Sequence, residues 1–135
     1  MPTDALIALQ ASVTKTASFS GAALILPGGT PRRGMWARVI YSAATQASGS
    51  GVWTFSVDAC YDGIPTLWRA DFLGDPPITL TASAQAGELY IPFNVQPTVV
   101  SGVITAPQIR LSATLSGSPT TPTITYQGDI VLVKP

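Results

Sequence analysis

Along most of this chain every second residue is apolar. Ile78-Thr79-Leu80-Thr81-Ala82-Ser83-Ala84 alternates without a break, and so does Ile109-Arg110-Leu111-Ser112-Ala113-Thr114-Leu115. In Met35 to Ser42, Met35, Ala37, Val39 and Tyr41 fall on one side. In Val52 to Tyr61, Trp53, Phe55, Val57, Ala59 and Tyr61 oppose Thr54, Ser56 and Asp58. Thr123 to Val133 aligns Ile124, Tyr126, Ile130 and Leu132. Successive side chains of an extended strand point to opposite faces, so a period of two predicts antiparallel strands with one dry and one wetter face. A helix built from the same residues would spread its apolar positions around its whole circumference.

Weaker strand signals cover Leu6 to Val13, Ala23 to Leu26, Thr66 to Phe72 and Leu89 to Phe93. Leu6-Ile7-Ala8-Leu9 also fits the start of a helix. The strands are separated by turn clusters: Pro27-Gly28-Gly29-Thr30-Pro31, Ser48-Gly49-Ser50-Gly51, Asp62-Gly63-Ile64-Pro65, Gly74-Asp75-Pro76-Pro77 and Ser116-Gly117-Ser118-Pro119. Gln96 to Pro107 reads as a long loop. About eight strong strands at this spacing predict an all-β fold, an eight-stranded antiparallel β-sandwich or jelly roll. A length of 135 residues fits a single domain spanning residues 1–135, with residues 1–15 as a peripheral arm or edge strand.

Charge is sparse and balanced. Lys and Arg number 7, Asp and Glu number 7, and only 10% of residues are charged against 46% hydrophobic. A zero balance removes the electrostatic drive toward nucleic acid or anionic membranes, so neither is expected as a partner. So few surface charges on a soluble chain point instead to a surface that becomes covered. Met1 to Val13 lacks the positive start of an export signal. The longest uncharged run, Leu89 to Ile109, is broken by Pro92, Pro97 and Pro107 and does not read as a spanning helix.

Catalytic chemistry finds little material. The absence of histidine removes the commonest general base and metal ligand, and with it Ser-His and Cys-His nucleophile pairs. The single cysteine, Cys60, cannot form an internal disulfide. It sits on the strand face opposite Trp53, and its neighbours supply no cation to activate a thiolate. Asp58-Ala59-Cys60-Tyr61-Asp62-Gly63 opens like a calcium loop, but the position that needs a bidentate Glu holds Arg69. Asp62-Gly63 therefore reads as a hairpin turn. Asp58 with Asp62, or Asp71 with Asp75, would make a glycosidase-like carboxylate pair, yet these acids stand beside turns, where Asp is favoured for its backbone hydrogen bonds. No phosphate-binding or dinucleotide-binding loop is complete, so no enzyme activity, metal or cofactor is expected.

The remaining candidates are contact residues. Arg32-Arg33 is the only basic pair and suits bidentate bonds to an acidic surface. Trp68 beside Arg69 combines two residue types that anchor protein interfaces. A place in the core or on a sugar-stacking face also fits Trp68, while Trp53 belongs with the core row of Phe55. Leu6 and Leu9 are candidate contacts of an N-terminal arm.

Several segments in order carry a resemblance. Pro31-Arg32-Arg33-Gly34-Met35-Trp36-Ala37-Arg38-Val39-Ile40-Tyr41-Ser42 precedes a Gly/Ser turn and Phe55-Ser56-Val57-Asp58. Gly87-Glu88-Leu89-Tyr90-Ile91-Pro92-Phe93, Ile109-Arg110-Leu111 and Pro122-Thr123-Ile124-Thr125-Tyr126-Gln127-Gly128-Asp129-Ile130 follow. This series, over about residues 20–135, resembles the small cement, or decoration, proteins of tailed bacteriophages. The resemblance implies a non-enzymatic jelly-roll subunit on the outside of an assembled capsid. It implies a homodimer in preference to a homotrimer, bridging neighbouring major capsid proteins. It also implies a virion protein synthesised in the host cytoplasm. The alternative is a carbohydrate-binding or receptor-binding β-sandwich module of a phage fibre or spike.

Overall fold

The computed structural model describes residues 7–25, 35–60, 78–93, 98–100, 103–105 and 108–131. They form β1 (Ile7–Lys15), β2 (Phe19–Ser20), β3 (Leu24–Ile25), β4 (Met35–Tyr41), β5 (Gly51–Cys60) and β6 (Ile78–Thr81). β7 (Gly87–Phe93), β8 (Thr98–Val100), β9 (Val103–Thr105), β10 (Gln108–Gly117) and β11 (Ile124–Val131) complete the set. The chain is all-β, as the alternation predicts.

Two antiparallel sheets face each other. The first has the order β1-β11-β4-β7, and the second β2-β10-β5-β6, with β3 also pairing β10. β8 and β9 form a separate hairpin. The long central pair β5–β10 keeps one unbroken register from Gly51↔Gly117 to Cys60↔Gln108. The sheets do not close into a barrel. At one end, however, the connections 42–50 and 118–123 pair with each other through Thr45↔Thr123 and Ser48↔Thr120. Backbone bonds such as Ala47 N to Thr120 O at 2.8 Å carry the β4–β11 ladder around the corner into β5–β10. Gly49 and Gly117 both turn at φ 85° there, in the left-handed region that lacks a steric penalty only for glycine.

The core is the set of residues that the alternation picks out. Trp53, Phe55, Val57 and Ala59 of β5 and Ile109, Leu111 and Ala113 of β10 lie under Ala37 and Val39 of β4, Leu89, Ile91 and Phe93 of β7, and Ile124, Tyr126 and Ile130 of β11. Phe55 meets Tyr126 edge to face, ring centroids 5.0 Å apart at 78°. Each large side chain buried in this way contributes roughly 1.5–3 kcal/mol against the entropy of ordering the chain. Gly128 allows the sheets to close: a Cβ there would stand 2.7 Å from Leu111 Cδ2.

Four expectations change. Leu6 to Leu9 was open between helix and strand; Ile7 to Leu9 belong to the edge strand β1, where paired backbone groups satisfy the chain as well as a helix would. Leu9, expected at a contact surface, is instead 5% exposed and packs in the core. Leu9 shares a face with Ile7 by alternation, and the pairing of Ile7 with Ile130 turns that face toward the core. Residues 98–105, expected as loop, contain the hairpin β8–β9. The outward face of β5, expected to be wet, is dry at Ser56 and Asp58, which are 7% and 5% exposed. The strand expected over Thr66 to Phe72 lies outside the described residues.

Candidate interaction surface

Period two works on both faces, so the strand that sends Ala37 and Val39 inward must send Trp36, Arg38 and Ile40 outward. Cross-strand register then sets their neighbours. Arg38 stands opposite Asp129 on β11 and Tyr90 on β7, and Asp129 stands opposite Ala8 on β1. Ile40 stands between Gln127 and Glu88, and Trp36 between Val131 and Pro92. The outward face of the first sheet thus carries the row Asp129-Arg38-Tyr90 between an apolar row, Val131-Trp36-Pro92, and a mixed one, Gln127-Ile40-Glu88.

The polar row is internally bonded. Arg38 Nη2 lies 3.3 Å from Asp129 Oδ2. The Tyr90 hydroxyl donates to Glu88 Oε1 at 3.1 Å. Desolvation first, and then the hydrogen bond and negative charge of Glu88, push the Tyr90 phenol up, with Arg38 opposing them. Ile40 is 36% exposed and is the exposed large hydrophobic residue among those described. Trp, Tyr and Arg around an exposed aliphatic side chain have the composition of a protein-binding patch.

The second sheet's outward face holds a different feature. Asp58 accepts from Ser56 Oγ at 2.9 Å, Arg110 Nε at 3.1 Å and Ser112 Oγ at 2.5 Å. The Ser20 hydroxyl lies 3.3 Å from that of Ser112. Asp58 therefore ties β5 to β10 through three accepted hydrogen bonds that engage both of its oxygens, which is the arrangement of a structural carboxylate. Among the described residues, no group of three or more His, Cys, Asp and Glu side chains comes together to hold a metal. No helix among them is long and apolar enough to cross a membrane.

Of the contact residues expected from sequence, Arg32, Arg33, Trp68, Arg69 and Leu6 lie outside the described residues, as do Asp62, Asp71 and Asp75. The strand ends flanking their segments are informative. β3 and β5 end together at one end of the sandwich, at Ile25↔Gln108 and Cys60↔Gln108. The connections at the other end, 16–18, 42–50, 82–86 and 118–123, contain no charged residue. Sequence reasoning passed over Trp36, Arg38 and Ile40 as a group. The signal was present, since the even-numbered positions of Met35–Tyr41 are the complement of the core row.

No protein-family model, no curated protein and no solved structure matches this chain.

Proposed function

We propose that this chain is a non-enzymatic virion subunit. It binds the outer surface of an assembled phage capsid and stabilises it by bridging neighbouring major capsid proteins. The strand order is the observation that carries this reading. Take β2 and β3 as one strand and set the β8–β9 hairpin aside. The first strand then pairs with the last (β1–β11), the second with the second-last (β2 and β3 with β10), β4 with β7, and β5 with β6. A chain doubled into one long antiparallel ribbon and then rolled up produces this nesting. It supports a jelly roll over other two-sheet sandwiches, as the resemblance to decoration proteins implies.

The surface fits a binding role. A structural carboxylate on one sheet and a Trp-Arg-Ile-Tyr patch on the other suit adhesion. Arg32, Arg33, Trp68 and Arg69 are the proposed capsid contacts. The subunit acts as a homodimer or homotrimer on the capsid exterior after synthesis in the host cytoplasm. Mass action supplies the mechanism. A ligand that binds the assembled shell but not free subunits stabilises the shell, by about 2.7 kcal/mol per site at a hundredfold excess over Kd. Repetition over a lattice adds avidity.

The test mixes purified protein with undecorated heads. Co-sedimentation and a raised rupture temperature are expected, with Arg32→Glu and Arg33→Glu weakening both while the subunit's own melting is unchanged. Absence of both co-sedimentation and thermal gain rejects the proposal.

A further inference from the structure

Every open sheet exposes strand edges whose unpaired N–H and C=O groups invite another strand. Three of the four edges here are interrupted by their own geometry. β1 carries register shifts at Ala8/Gln10 and at Gln10/Val13. β2 and β3 have 2 residues each, and β6 has 4. β7 differs: it runs 7 residues in unbroken register with β4, from Gly87↔Tyr41 to Phe93↔Met35, and no described strand pairs with its other side. It is the longest regular free edge among the described strands.

Within β7 the direction of each backbone group follows from Pro92. Proline has no N–H to give to β4, so the proline position must be one whose backbone faces away from β4. Alternation then turns the backbone groups of Glu88 and Tyr90 to the same open side, while Leu89, Ile91 and Phe93 bond to β4. The open edge offers the N–H and C=O of Glu88 and Tyr90, but only a C=O at Pro92, whose ring also stands in the path of an incoming strand.

We infer that the β7 edge is a self-pairing surface held closed by Pro92, and that its latent partner is β7 of a second copy. A two-fold axis at Tyr90 would set Tyr90 against Tyr90, and Glu88 against Pro92. The ladder across it has six hydrogen bonds when every residue can donate, and Pro92 removes one from each chain. The same register keeps the two Glu88 charges apart, so proline is the barrier. In the native protein the β7 edge is accordingly closed to a second copy. This inference stands independently of the capsid reading.

The experiment compares Pro92→Val with the parent by light scattering over a concentration series. Valine keeps the outward position and suits a strand, so the fold is retained. A doubling of mass that grows with concentration, reversed when Tyr90→Pro is added to the variant, supports the inference. A mass equal to the parent's at every concentration overturns it. Amide hydrogen exchange of the parent reads the same edge without a variant. Fast exchange at Glu88 and Tyr90 beside protected Leu89 and Ile91 is expected, and protection at Glu88 and Tyr90 overturns the inference.

Discussion

Tyr126→Phe tests the core by removing a single oxygen. Tyr126 is 1% exposed, and its hydroxyl is buried with no hydrogen-bond partner. An unpaired buried hydroxyl costs about 1–3 kcal/mol of desolvation. Phenylalanine keeps the ring and its edge contact with Phe55 and fills nearly the same volume. The variant should therefore gain about 1 kcal/mol at neutral pH, a rise of roughly 4 °C in Tm for a chain of this size. Alkaline pH adds a second signature. Burial pushes the Tyr126 phenol up to about 12, against roughly 10 in an unfolded chain. Below the unfolded value both states hold the proton, and stability does not change with pH on this account. As pH rises from there toward 12, the unfolded chain releases its proton first. The native state then loses on the order of 2 kcal/mol relative to it. Tyr126→Phe lacks this loss, so its advantage over the parent should widen across that window. The other tyrosines cancel in the difference. Urea unfolding of both proteins at several pH values, from neutral into the alkaline window, measures both effects. A loss of 1 kcal/mol or more (roughly the value of one hydrogen bond) by the variant at neutral pH would show that the hydroxyl is bonded. A gap that stays constant with pH would show that burial does not hold the phenol protonated.

Three further outcomes can be checked by chemical denaturation. Thr121 sits at φ 48°, a conformation that strains a β-branched residue, so Thr121→Gly should stabilise by about 0.5–1 kcal/mol after glycine's added unfolded-state entropy; a loss would refute the strain. Gly128→Ala should destabilise by about 1–3 kcal/mol, because its Cβ would meet Leu111 Cδ2 at 2.7 Å and the fully buried Leu111 would have to shift within the core. Asp58→Ala should destabilise by about 3 kcal/mol by stripping the acceptor from Ser56, Arg110 and Ser112. A change within about 0.5 kcal/mol, as for an ordinary surface site, would contradict the structural role given to that carboxylate.

The alternation alone was enough to place Trp53, Phe55, Ile109, Leu111, Ile124 and Tyr126 inside. The period of two is a property of the extended backbone itself and does not depend on which strands meet. The all-β class and most turns follow from the same local chemistry. What pairs with what could not be read this way. The nesting of β1 with β11 and of β4 with β7 joins residues far apart in the chain, and each strand's pattern is compatible with many neighbours. Leu9 shows the limit at one residue: alternation puts it on one face with Ile7, but only the pairing of Ile7 with Ile130 on β11 makes that face the buried one. Asp58 shows the same for chemistry. Its polar face reads as solvent-facing along β5, and only β10 brings Arg110 and Ser112 to make it a dry, bonded carboxylate. Trp36, Arg38 and Ile40 were readable as an outward row, but their joining with Asp129 and Tyr90 into one patch needed the sheet. Local sequence determines which way a side chain points, because neighbouring backbone bonds set that direction. Tertiary structure decides what it points at, because that depends on contacts made across the whole chain.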